Sequence, residues 1–262
     1  MRHSRGLEQP EQTLSGDGAV ERERIAERIR EVYDRVGRQG SRAPGELAVP
    51  TGPALARQLG YGEGDLAALP PGVLGAFVGA AALAPRVKGA RGDWVVDVGC
   101  GAGVDSLLLA GRGLRVVGLD ASGSMLGRLA EGARSVRAAA FPVRAAAPHL
   151  PLGDRCASWV LLNGVANLIA DREALLGEVA RVLRPGGRLL VADLVAVGEI
   201  PPEVRRLPEA WAWCLGGATS PARWRAELAR RGFGRIRIDL LEEIPPFARA
   251  VIEAERPPAK AR

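Results

Sequence analysis

The sequence predicts a doubly wound α/β fold: a mostly parallel sheet of seven strands with helices on both faces. Three observations predict it. From Trp94 onward, short apolar runs alternate with helical stretches at close spacing. The first run enters a triple-glycine turn, DVGCGAG, which opens the first of those helices. The second run ends on an acid, Asp120, 17 residues beyond Gly103.

The elements follow in order. Residues 1–18 are polar and glycine-rich and read as a disordered tail. AVERERIAERIREVYDRVGRQ, 19–39, reads as an amphipathic helix with Ile25, Ile29, Val32 and Val36 on one stripe. With the Pro/Gly-punctuated stretch after it, it forms a helical cap or lid over 19–69. The α/β domain occupies 70–262. WVVDVG suits a buried parallel strand, and VDSLLLAGRG a helix closed by Gly113. LRVVGLD is the second strand; SGSMLGRLAEGAR is the second helix, with Ser122 or Ser124 as N-cap. A weak strand near 137–144 precedes the strong one ASWVLLN. DREALLGEVARVL is a helix opened by Asp171, which a Pro-Gly-Gly turn leads into the strand RLLVADLV. An insertion over 197–220 carries Trp211, Trp213 and Cys214, and the helix PARWRAELARRG with the strands GRIRIDLL and FARAVIEAE closes the chain.

Bulk properties narrow the function. No apolar run reaches the roughly 20 residues of a membrane span, and no apolar stretch follows the basic start as in a secretory signal; a cytoplasmic protein is expected. The net charge of +6 comes from 36 basic residues spread along all 262, only two of them lysine. A nucleic-acid binder would gather them on one face with aromatics between, so solvated arginines are the expectation. Cys100, Cys156 and Cys214 are far apart, which fits neither a disulfide framework nor a CxxC metal site.

The glycine turn carries the chemistry. Gly99, Gly101 and Gly103 let the backbone turn tightly and approach a ligand at a helix N-terminus. Asp97, two residues earlier, would gain nothing beside a pyrophosphate but suits a cationic ligand bearing an amino group and a sulfonium. Asp120 stands where its carboxylate can accept both hydroxyls of a ribose.

DVGCGAG, GLDASGSML, LPLGDRCASWVLLN and EVARVLRPGGRLLVAD resemble, in order and spacing from about Asp93 to Leu194, the motifs of class I S-adenosylmethionine-dependent methyltransferases. The resemblance implies a Rossmann-like sheet and S-adenosylmethionine as cofactor. Gly99, Cys100, Gly101 and Gly103 would wrap the methionine moiety. Asp120, followed by Ala121, would hold the ribose, Met125 would pack on the adenine, and Ala147 would border its edge. Asn163 would face the methionyl part or the substrate. Many relatives carry an acid a few positions before LP; here RAAAPHLP leaves backbone groups, or Asp154, to meet the adenine amino group.

Closer resemblance is to the arsenite methyltransferases, in YGEGDLAALP, GVDS, LNGVANL and WCLGGA, from about Tyr61 to Phe233. In that branch, cysteine thiolates bind trivalent arsenic, a soft centre wanting two or three sulfurs. Here Ser106 and Gly164 stand at two of the cysteine positions, no cysteine precedes Cys100, and only Cys214 remains. The scaffold is kept and arsenic chemistry is not expected. Cys214 reads either as a small buried hydrophobe or as a pocket-lining thiol.

Methyl transfer to a small, specialised metabolite is the leading expectation. Asn163, His149, Cys214 and Tyr61 are the catalytic candidates, His149 as a base; Tyr61, Trp211 and Trp213 are candidates for a pocket wall. Two alternatives stay open: intramolecular cyclisation or lyase chemistry on S-adenosylmethionine itself, releasing methylthioadenosine, and a non-catalytic binding partner. The partners expected are a small molecule, with neither nucleic acid nor membrane. The first helix could cap the site or pair two subunits in a homodimer.

Overall fold

The structure, a computed structural model, describes residues 17–40 and 51–258. The expected tail lies outside them, save its last two residues, which begin the first helix. That helix, α1, is Asp17–Gln39. The Pro/Gly-punctuated part of the expected cap holds two short helices among its described residues, α2 Pro53–Gln58 and α3 Glu63–Ala67, with α4 Pro71–Leu74 just beyond. Pro53 and Pro71 each start a helix where a missing N–H costs nothing.

The sheet is built from β1 Trp94–Val98, β2 Arg115–Asp120, β3 Ala140–Arg144, β4 Ala157–Asn163, β5 Leu183–Ala196, β6 Gly234–Ile244 and β7 Phe247–Glu255. Their order is β3-β2-β1-β4-β5-β7-β6, and β7 alone runs antiparallel to its neighbours. The expected Pro-Gly-Gly turn is instead taken up inside β5, where the pairing with β4 slips between Ala157 and Trp159. Helices α5 Val104–Gly111, α6 Gly123–Ser135 and α7 Arg172–Val182 cross between parallel strands. Of the two candidate caps of α6 it is Ser122 that accepts the Met125 N–H, and Asp171 caps α7. The insertion forms α8 Pro202–Arg206 and α9 Pro208–Ala212, and α10 Pro221–Arg230 leads to the last hairpin.

Period-two alternation divides the core. Trp159 and Leu161 of β4 face the layer holding α5 and α6; Val160 and Leu162 face the layer holding α7 and α10. Each fully buried leucine contributes about 1.5–3 kcal/mol. The chain runs outward from β1 to β3, then crosses to β4. The reversal opens a crevice at the carboxyl ends of β1 and β4, where open α/β sheets bind ligands. Among the described residues no helix is long and apolar enough to cross a membrane.

Candidate functional site

Glycine shapes the loop leaving β1. Gly99, Gly101 and Gly103 have φ of 69°, 54° and 91°, a region L side chains avoid. The Gly99 and Cys100 N–H groups donate to the Leu119 carbonyl at 2.7 and 3.0 Å, which ties the loop to the end of β2. Gly101 N–H donates to Asp120 Oδ2 at 2.8 Å, and Ser122 N–H to Asp120 Oδ1 at 2.8 Å. Asp97, on the α5 side of β1, accepts from Ser106 Oγ at 2.6 Å.

Three carboxylates therefore converge beneath this loop, and burial drives each upward. Asp97 is pushed up to about 7 by burial and by the neighbouring Asp105 and Asp120, against the pull of Ser106. Burial also raises Asp105 and Asp120, opposed by their hydrogen bonds. None has a cationic partner within ion-pair distance among the described residues. Desolvated carboxylates of this kind either take up a proton or favour a bound cation.

A cavity opens over the loop. Every residue expected to hold the cofactor lines it: Asp97, Gly99, Cys100, Gly101 and Gly103 on the floor, Asp120, Ala121 and Met125 beside them, Ala147 and Asn163 at the edges. The roof is α1, whose Ala26, Ile29, Arg30 and Tyr33 present one stripe. Phe77 and Val78 form one wall, and Val165 and Leu168 another.

The catalytic candidates fare differently. His149 is exposed and lies outside the lining. Tyr61 is buried below the cavity and donates to Asp105 Oδ1 at 2.9 Å, so it is no wall. Asn163 spends its amide on a clamp: Nδ2 donates to Asp105 Oδ2 at 2.8 Å and the Ala81 carbonyl at 2.9 Å, while Oδ1 accepts from Ala80 N–H at 2.8 Å. It fixes the segment after Phe77 and has little left for a substrate. Cys214 is buried, its Sγ donating to the Gly164 carbonyl at 3.4 Å, one residue behind the lining. Trp211 packs against Gly216 and donates to the Arg205 carbonyl at 2.8 Å; neither it nor Trp213 reaches the cavity. Asp154 pairs with Arg181 at 2.9 Å and is not available to an adenine. Among the described residues no group of His, Cys, Asp and Glu is arranged to hold a metal.

Sequence reasoning missed Arg30, Tyr33, Phe77 and Val78. A signal existed for α1: besides the apolar stripe that docks it, positions 26, 29, 30 and 33 make a second one carrying a tyrosine and an arginine.

Sheet order and crevice define a doubly wound, Rossmann-like domain with its cavity at the switch point. Residues 90–232, more than half the chain, match the family described as "Methyltransferase domain". The chain belongs to that family, among the class I S-adenosylmethionine-dependent methyltransferases and close to the arsenite methyltransferase branch. An arsenite methyltransferase of Halobacterium salinarum is 29% identical over 262 residues, 90% of this chain and 66% of its own. Methyltransferase GfsG of Streptomyces halstedii is 38% identical over 127 residues, covering 45% of this chain and 44% of its own. An arsenic(III) S-adenosylmethionine methyltransferase of Chlamydomonas reinhardtii superposes with a TM-score of 0.63 at 22% identity, over 82% of this chain and 76% of that one. The chain thus spans less than two thirds of the length of both curated relatives.

Proposed function

We propose that the chain binds S-adenosylmethionine in this cavity and transfers its methyl group to a small molecule other than arsenite. The observation carrying the proposal is the pair Asp97 and Asp120, desolvated and without a cationic partner, beside a left-handed glycine turn. The residues present fit the group. Gly101 has no heavy atom within 4 Å of where a Cβ would stand, so backbone can approach a ligand there. Asp120 keeps carboxylate lone pairs beyond its two backbone bonds for ribose hydroxyls. Met125, 1% exposed, offers an apolar face for an adenine.

When bound, S-adenosylmethionine supplies an electrophilic methyl on a sulfonium centre. The protein's part is alignment and exclusion of water. Holding a nucleophile in line with a methyl accounts for about 7–11 kcal/mol of a barrier. Asp97 would meet the cationic methionyl end, Asp120 the ribose hydroxyls and Met125 the adenine, while the α1 stripe with Phe77 keeps the reacting space dry. His149 lies outside the lining, so among the described residues no histidine is placed as base; an acceptor whose nucleophilic atom carries no proton, such as a carboxylate, phenolate or thioether, needs none.

Arsenite is an unsuitable acceptor because the thiols do not converge. Cys100 Sγ turns to the Gly101 carbonyl in the cofactor loop, and Cys214 is sealed behind Gly164. Cys156 precedes β4 at the end opposite Asn163, seven residues and roughly 20 Å away. One thiol does not hold As(III) against thiols in solution.

Purified protein incubated with S-adenosylmethionine, with and without a metabolite extract, tests the reading by mass spectrometry. S-adenosylhomocysteine formed only with the extract, and none formed with arsenite and glutathione, is the expected result. Methylthioadenosine from S-adenosylmethionine alone would replace methyl transfer by cyclisation or lyase chemistry. Tight binding with neither product would make the chain a non-catalytic binder.

A further inference from the structure

The cavity has a polarity of its own. Its floor carries Asp97, Asp105 and Asp120, and among the described residues the only cationic side chain in its lining is Arg30, on the roof. Arg30 reaches the rim because 26, 29, 30 and 33 fall on one face of α1, the same face that sends Tyr33 inward. It also borders the shallow outer groove with Glu27, Glu31 and Asp34, yet no described carboxylate lies within ion-pair distance of it. Arg28 pairs with Glu31 at 3.3 Å and with Glu209 of α9 at 3.9 Å. Between Arg30 and the floor, the wall segments are apolar: Ile29, Phe77, Val78, Val165 and Leu168.

We infer that the acceptor is an apolar small molecule bearing a carboxylate, and that Arg30 binds that carboxylate at the mouth of the cavity; this rests on the reading above. A guanidinium matches a carboxylate with two parallel N–H donors, which fixes orientation as well as affinity. The three floor acids repel an anion that enters head first. The carboxylate therefore stays at the rim, the apolar body lies along Ile29 and Phe77, and the opposite end of the molecule meets the methyl. Arg30 anchors and orients; it takes no part in bond making.

The full chain, saturated with S-adenosylhomocysteine, is titrated with carboxylic acids and their methyl esters: 3-phenylpropanoate, 4-hydroxyphenylacetate and decanoate, each with its ester. Wild type is expected to bind at least one acid fivefold to tenfold more tightly than its ester. Arg30→Met should bring that pair to parity, Arg30→Lys should keep part of the preference, and S-adenosylmethionine affinity should stay within twofold in both. No acid preferred over its ester in wild type, or a preference that survives in Arg30→Met, overturns the inference. Failure of wild type to bind S-adenosylmethionine would instead overturn the reading it rests on, so the two failures are told apart.

Discussion

Gly99, Gly101 and Gly103 are left-handed for different reasons, and substitutions there should separate. A Cβ on Gly99 would meet Val165 Cγ2 at 2.5 Å, and one on Gly103 would meet Leu129 Cδ1 at 2.4 Å. One on Gly101 would meet nothing within 4 Å and would project into the cavity. Gly103→Ala is expected to cost well over 1 kcal/mol of stability, from backbone and packing together. Gly101→Ala should fold with a smaller loss, while weakening S-adenosylmethionine binding at least tenfold; calorimetry and thermal unfolding read both. Asp120→Ala removes charged acceptors and should weaken that binding by about 1.5–3 kcal/mol; unchanged affinity would remove Asp120 from the ribose. Asp97 sets a pH dependence. Only its ionised form favours a cation, so affinity should rise from pH 6 to pH 8, through the value near 7, and Asp97→Asn should flatten the rise. Stability of the free protein runs the other way. A carboxyl raised on folding favours the fold below its unfolded value, and that contribution is lost as pH climbs from about 4 to about 7. These loop residues were legible in the sequence because neighbours along the chain dictate their geometry. Asn163 was legible as a position but not as a role, since Ala80 and Ala81, which occupy its amide, lie more than 80 residues away.

One docked helix roofs the site, and another packs on the opposite face of the sheet. Helix α1 is held on α6 by polar contacts: Ser122 Oγ donates to Asp34 Oδ1, Ser124 Oγ donates to the Asp34 carbonyl at 2.9 Å, and Arg128 donates to the Gly37 and Arg38 carbonyls at the end of α1. Gly37 allows the approach, for a Cβ there would stand 2.3 Å from Ser124 Oγ. The Ser122 hydroxyl chiefly holds Asp34 below the usual carboxylate range, so this contact is lost on acidification. Asp34→Ala is expected to speed amide exchange along α1 and the first turn of α6 while leaving the sheet protected. On the other face, Arg172 and Glu227 join α7 to α10 at 2.7 Å with 10% and 2% of their side chains exposed, and Arg172 lies over the Trp224 ring at 4.7 Å. Burial alone would raise Glu227, but Arg172 and Arg223 outweigh it and hold it low. Glu227→Ala strands Arg172 and should cost about 3–5 kcal/mol in denaturant unfolding, whereas Arg172→Met with Glu227→Leu should cost much less. Both helices were legible from periodicity. What they touch was not, because a hydrophobic stripe states that a face is buried without stating against what.

At the scale of the molecule, a mostly parallel seven-stranded sheet with helices on both faces was legible in the alternation of apolar runs and helical stretches, whereas the strand order, and with it the switch-point crevice, is set by pairings between distant segments. The cap was foreseen as an element, but its contribution of Arg30 and Tyr33 depends on α1 crossing back over α6 to meet α9, where Tyr33 hydroxyl donates to the Ala212 carbonyl at 3.3 Å. That crossing separates two jobs in the sequence. On the proposed reading, most of the groups that would meet the donor sit on strand ends and a turn between 97 and 125, anchored in the sheet. Those that would lie over the acceptor sit largely on one solvent-backed helix. Diversity introduced at 26, 29, 30 and 33 would then leave the strand ends and the glycine turn untouched, so a chain of this design could be fitted to new acceptors by rewriting two turns of a single helix.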